Sequence, residues 1–364
     1  MINNCQKNNP ADQQRRPADS ERMEGKPLQL LFLGDCMLGR LVNEMLENAS
    51  PEYPWGDTLP ILQSADYRIC NLECVISDRG EPWSAYPKPF HFRSAAKNIA
   101  VLEVARINAV SLANNHVLDY GYDAMFQMLG ILDQAGIVYS GAGVNLEEAS
   151  RLATAEVCGR KIGLLAFTDN EPAWEATAHQ PGIFYVPVDL SDLRAQALLE
   201  NVREQKDAVD LLIVSAHWGG NWGYYPPRAH VELAHALVDA GAGLIFGHSS
   251  HVFRGIEFYE GRPILYSTGN FVDDYAVDRI ERNDQSFIYV ADIENGTSRR
   301  LSLYPTLIRR CQARCAGVYA QGIVEKMRGL CSGMNTSAEW NPAGHCLEVS
   351  CPARTEEMRM GVVR

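Results

Sequence analysis

The 364-residue chain has no C-x-x-C pair, no run of about 20 apolar residues and no excess of basic side chains. Without a run of spanning length, no membrane segment is predicted. The opening segment, "MINNCQKNNPADQQRRPADSERMEGKP", also lacks the apolar core of a signal peptide, so a cytoplasmic location is expected. A formal net charge of -12 excludes a broad basic face for nucleic acid, while leaving room for a local pocket that holds one small anion. The cysteines, at 5, 36, 70, 74, 158, 311, 315, 331, 346 and 351, show no zinc-knuckle spacing, and reduced thiols are expected. Those from 311 onward crowd the C-terminus, where a disulfide or a soft-metal clip stays open.

What is present is enough apolar material for a sizeable core, 46 % of the residues. Residues 1 to 26 are polar and without hydrophobic period, which predicts a disordered tail. From Leu28 onward, strand-like runs recur: "LQLLFLG", "YRICNLE", "NAVSLANN", "IVYSGAG", "KIGLLAFT", "DLLIVSAHWG" and "GLIFGHS". Most are apolar throughout, as strands buried on both faces must be. Helical patterns at 121 to 135, 189 to 206 and 227 to 241 separate several of them, so the fold class is α/β. After 252, two strand-like halves flank a turn at Glu260-Gly261, and "SFIYVADI" and "RRLSLYPTLI" follow as antiparallel strands of the same domain. The domain is expected to span 27 to 310, with 311 to 364 a Cys-rich appendage carrying one short helix near 318 to 330.

Ligands in open α/β sheets bind beyond the carboxyl ends of strands. Here the runs end at Asp35, at Asn71 and Glu73, at Asn114, Asn115 and His116, at Asp169 and Asn170, at His217, and at His248 with His251. One such ending is ordinarily a cap or turn residue. A whole set of carboxylates, amides and imidazoles at successive strand ends is costly to bury unless it is paired or bound to metal. Its ligand types suit divalent transition metals, with no cysteine required.

The blocks "LFLGDCMLGR", "NLECVISDRG", "KPFHFRS", "SLANNHVLDYG", "AHWGGNW" and "GHSSHVFRGIEFYEGRPILYSTGNFV" occur in this order over about 28 to 275. Together they resemble the CapA family of poly-γ-glutamate capsule biosynthesis proteins, a branch of the calcineurin-like metallophosphoesterases. The resemblance implies a four-layer α/β/β/α sandwich of the metallophosphoesterase type with two divalent metal ions, Mn, Fe or Zn, at the strand ends. It implies that Asp35 and His251 bind the first metal, that Glu73 bridges, and that Asn115, His217 and His248 bind the second. His116 matches the histidine that protonates the leaving oxygen, and Asp119 is the residue that would orient it. The superfamily's opening Asp-x-His is absent, since Cys36 and Met37 follow Asp35, so the first site is expected to be completed by water, Asn71 or substrate.

Lys88, His91 and Arg93 lie at alternating spacing in "KPFHFR" and are candidates for one anion-facing side of an extended segment. Asn71 and Arg254, inside the matching blocks, are further candidate substrate contacts. Trp218, Trp222, Tyr224 and Tyr225 are placed either as a wall of the site or as packing for their own loop. His230 and His235 are five apart on a helix, about 140° around its axis, and are expected at the surface. The implied activity is a dinuclear metal-dependent hydrolase cleaving a phosphate ester of a small anionic metabolite. The alternatives are hydrolysis or transfer at γ-glutamyl amides in polymer synthesis, and a non-catalytic accessory that binds polymer or a synthetase.

Overall fold

The computed structural model describes residues 27–351; the expected tail at 1 to 26 lies outside them. Two sheets carry the fold. In the first, ten-stranded sheet, Leu28–Cys36 is central, parallel to Tyr67–Leu72 and antiparallel to Gln285–Glu294. Ala109–Ser111 and Val138–Ser140 extend it on one side, Thr297–Ile308 on the other. In the second, six-stranded sheet, Leu211–His217 runs parallel to Arg160–Thr168 and to Leu244–His248. The Glu260-Gly261 turn joins Ile256–Tyr259 to Arg262–Leu265 as expected.

The layering follows from which way alternate side chains point. Along Leu28–Cys36, Leu28, Leu30 and Phe32 enter the core between the sheets, while Leu31 and Leu33 enter a core shared with Met125, Met128 and Leu132 of the helix Gly121–Ala135. Along Leu211–His217, Leu211 and Ile213 enter the inter-sheet core. Leu212, Val214 and Ala216 instead meet the helices Leu193–Gln205 and Arg228–Ala240. Three cores between four layers result, helix on sheet on sheet on helix. This is the α/β sandwich expected from the sequence, and it explains the uninterrupted apolar runs.

The segment from 311 is not an appendage within its described part. Ala313–Cys315 and Cys346–Ser350 both pair with Thr297–Ile308, and Ser337–Asn341 adds the outer strand. The helix Ala320–Ser332 sends Ile323, Val324, Met327 and Leu330 into the inter-sheet core. These strands are too short to show a period alone, and only their partner strand gives them a buried face. The described cysteines are free, including Cys311, Cys315, Cys331, Cys346 and Cys351.

His230 is buried, not at the surface. It shares a helix face with Leu233, Ala234 and Leu237 and stacks on Trp218 at 4.9 Å. His235 is partly exposed, bonded to Glu257 at 3.0 Å and stacked on Tyr259. Trp218 is itself core, with its indole N–H on the Tyr266 carbonyl at 2.9 Å.

Gly34 lets the central strand approach the 268–269 turn. A Cβ there would overlap the Gly269 carbonyl oxygen, the atom that accepts the Asp35 N–H at 2.9 Å. Gly34→Ala is therefore expected to cost about 1–3 kcal/mol by overpacking, read by urea unfolding; an unchanged midpoint would contradict the close approach.

Burial, with Arg254 adding to it, lowers His230 to about 4. The unfolded imidazole protonates near 6.5, so stability is lost as pH falls from 6.5 toward 4. The difference in unfolding free energy between wild type and His230→Phe should shift against the wild type by about 2 kcal/mol from pH 7 to pH 4.5. Parallel pH profiles would contradict it.

Candidate metal centre

The parallel strands of both sheets end at one edge. Asp35 is paired in register with Asn71 in the first sheet, and His217 with His248 in the second. Glu73 follows the end of its strand, and His251 sits in a turn with φ 59°. The two sheets meet across this edge: Asn71 Nδ2 donates to Asp35 Oδ1 at 2.8 Å and lies 3.4 Å from His217 Nδ1. His217 Nδ1 is in turn 2.8 Å from His248 Nδ1.

The supporting bonds aim these groups. Ser215 Oγ sits 2.8 Å from His248 Nε2, and accepting that N–H leaves the Nδ1 lone pair directed into the site. His251 Nδ1 lies 2.9 Å from Asn270 Oδ1 and 3.3 Å from Asp35 Oδ2. Asn114 donates to Asn71 Oδ1 at 3.0 Å and to the Leu72 carbonyl at 2.9 Å, tying the loop after Ala109–Ser111 to its neighbour.

Burial governs the electrostatics. Burial first, then repulsion from Asp35, pushes the Glu73 carboxyl well up. Burial alone would raise Asp35 too, but His251, followed by His248 and His217, holds it far below the usual carboxylate range. Burial lowers His248 to about 4, and burial with His248 nearby lowers His217 well below its ordinary value. Neutral imidazoles carry the lone pairs a cation needs.

The donor set fits divalent metal. Both Glu73 oxygens and Asn115 Oδ1 are buried without a hydrogen-bond partner, and Asp35 Oδ2 has only the His251 imidazole at 3.3 Å, a costly state that a cation would relieve. Asp35, His217 and His248 bring one atom each to within 4.8 Å of one another, as do Asp35, Glu73 and His251. The carboxylate common to both groups is Asp35, where the resemblance implied Glu73 as the bridge. Oxygen and imidazole nitrogen are the ligands that Mn, Fe and Zn accept.

Beside these groups, His116 Nδ1 lies 2.6 Å from Asp119 Oδ2, and His116 Nε2 faces Glu73 Oε1 at 3.8 Å. Burial lowers His116 to about 4 against the pull of Asp119. Asp119 also accepts the Phe92 N–H at 2.6 Å and pairs with Lys88 Nζ at 3.0 Å.

The candidate anion contacts do not converge. Lys88 is committed to Asp119, His91 Nε2 to the Trp83 carbonyl at 3.1 Å, and Arg93 to the Gly80 carbonyl at 3.3 Å and the Tyr120 ring. The amide of Asn71 is engaged at both ends, by Asp35 and Asn114. Arg254 braces the aromatic loop through the Gly223 and Trp222 carbonyls at 2.9 and 3.3 Å, and its Nη1 has no partner. Of the aromatic candidates, Trp222 reaches the site, 6.2 Å from His251, whereas Tyr224 packs on Phe253.

The sequence reading missed Asn270, Asp273 and Tyr275. Asp273 is buried with Oδ2 unpartnered and is pushed up to about 7 by burial. Tyr275 stands 5.3 Å from the His251 ring. Their signal was "GNFVDDY", an acidic pair just past a short strand that returns beside Asp35.

The model of the bacterial capsule synthesis protein PGA_cap family matches residues 29–275. A probable polyglutamine synthesis accessory protein of Mycobacterium tuberculosis is 35 % identical over 339 residues, covering 81 % of this chain and 89 % of that one. The capsule biosynthesis protein CapA of Bacillus anthracis is 30 % identical, covering 77 % of this chain and 68 % of its own. The PGA biosynthesis protein CapA of Bacillus subtilis is 31 % identical, with 75 % and 70 % covered. With the family's match running from the central strand through the last of the strand-end ligands, the chain belongs to the PGA_cap family of bacterial capsule synthesis proteins.

Proposed function

We propose that this protein is a metal-dependent enzyme of poly-γ-glutamate-type biosynthesis that hydrolyses or transfers at a γ-glutamyl amide bond. The observation that carries this reading is the convergence of Asp35, Glu73, His217, His248 and His251, with both Glu73 oxygens buried and without a hydrogen-bond partner, beside His116 on Asp119. The names of the Mycobacterium and Bacillus relatives support a polymer setting over a small-metabolite ester.

Asp35, His217 and His248 would hold one divalent ion, and Asp35, Glu73 and His251 a second; the Asn115 oxygen, buried without a hydrogen-bond partner, is a further candidate ligand. When bound, such cations supply Lewis acidity toward a carbonyl or phosphoryl oxygen. Asp119 accepts from His116 Nδ1–H and fixes the ring, which makes Nε2 the atom that takes up and returns the proton. Lys88 Nζ, 3.0 Å from Asp119, holds that carboxylate in place, and Phe92, 4.0 Å from the imidazole in a stacked arrangement, limits its tilt and shields one face from water. His116 Nε2 would take a proton from the water that adds to the amide carbonyl and give it to the nitrogen as the C–N bond breaks, releasing a carboxylate and an amine. The same donor would serve an alkoxide leaving from phosphate, which keeps ester hydrolysis as the second reading.

γ-Glutamyl oligomers incubated with the Mn-, Fe- or Zn-loaded protein should yield new amino groups. His116→Ala should lower that turnover about 10²- to 10⁴-fold with thermal melting unchanged. Phosphate release from p-nitrophenyl phosphate or its bis ester, with no oligomer cleavage, would move the assignment to the ester. Binding of oligomer without turnover on any of these would contradict catalysis and leave the accessory role.

A further inference from the structure

Arg40 takes left-handed backbone, φ 49°, a conformation that costs a side-chain-bearing residue about 1 kcal/mol or more. A buried carboxylate holds it there: Asp274 Oδ2 accepts the Leu41 N–H at 2.9 Å and pairs with Arg40 Nε at 3.1 Å. The guanidinium carbon then stands 5.7, 5.6 and 6.0 Å from the ring centroids of Phe90, Phe92 and Tyr275.

Two of those rings touch the centre itself. Phe92 stacks on His116 at 4.0 Å, and Tyr275 meets His251 edge-on at 5.3 Å. The guanidinium is thus one aromatic ring away from the proton-transferring imidazole. Ring faces hold a guanidinium without consuming its N–H donors, and only Nε is paired. The side chain remains 37 % exposed, beside the two rings that flank the site. Lys88, by contrast, is committed to Asp119. Strained backbone, an aiming carboxylate and free paired donors form a fork suited to a planar anion.

We propose that Arg40 is a specificity-determining residue that binds, through both terminal amino groups, a free carboxylate of the substrate one residue from the reacting bond. The proposal rests on the γ-glutamyl reading above, in which each residue of the chain carries an α-carboxylate beside its γ-amide. Phe90, 56 % exposed and stacked with Phe92, offers an apolar face to the methylene groups between successive carboxylates. Asp274 acts through Arg40 as a positioning residue.

The test is equilibrium binding by calorimetry of a γ-linked pentaglutamate and of its α-amidated counterpart, in which the carboxylates are neutral, to the metal-loaded protein. Wild type should prefer the carboxylated oligomer about tenfold or more, and Arg40→Gln should lose that preference while keeping metal content and melting temperature. Arg40→Lys should retain part of it, because a point charge cannot form the bidentate pair, and Asp274→Asn should weaken it by freeing the guanidinium. Equal preference in wild type and Arg40→Gln, or none in wild type, overturns the proposal. Loss of preference in Arg40→Gln without any oligomer cleavage by wild type would sink the amide-bond chemistry and leave the fork standing. Cleavage by wild type with Arg40-independent binding would do the reverse.

Discussion

The buried negative charge of Asp35 is the constraint on which the centre depends. Its strand passes so close to the 268–269 turn that only Gly34 fits before it, and this approach delivers the carboxylate to the edge where both sheets end. Around it stand His217, His248 and His251, with Glu73 on the far side. Burial first, and then the charge of Asp35 beside it, raises the Glu73 carboxyl, and a divalent ion would be complementary to this pair in charge. Each further residue is arranged to aim these groups: Ser215 on His248, Asn270 on His251, and Asn114 and Asn71 tying the first-sheet loops together.

The sandwich explains why such a site is stable. Three apolar cores surround the two sheets, so strand ends are rigid and the polar groups on them cannot relax toward water. The second sheet contributes imidazoles, the first contributes carboxylates and His116. Function therefore requires both sheets to pack in one register, and the C-terminal strands and helix complete that packing by sealing the inter-sheet core.

Much of this was legible in the sequence. The apolar runs marked the buried strands. Asp35, Glu73, His217 and His248, at or just past the ends of such runs, lie together because strand direction brings those ends to one edge, whereas Asp169 at the end of its run accepts the Gly219 N–H instead. The face of a helix was legible but misread at His230, whose neighbours Leu233, Ala234 and Leu237 are apolar at helical spacing. The helix expected near 318 to 330 is present as Ala320–Ser332, but the strands after 311 were not legible, since strands of three to five residues acquire a buried face only from their partner. Nor was Arg40: its three rings come from two segments far apart in the chain, Phe90 and Phe92 from one and Tyr275 from the other, and its aiming carboxylate, Asp274, comes 234 positions later. Alternating spacing in "KPFHFR" suggested a common face, but the segment turns and sends Lys88 to Asp119 and Arg93 to Tyr120.

The central claim is that the strand-end cluster is a metal centre. It is tested most directly by elemental analysis of the folded protein after exposure to Mn, Fe or Zn and removal of free ions, for wild type and Asp35→Asn. The account expects close to two equivalents in wild type and a loss of most of them in the variant, because Asp35 is the ligand common to both groups. A folded wild type that retains none of the three metals, or an Asp35→Asn protein that binds as much as wild type, would contradict it.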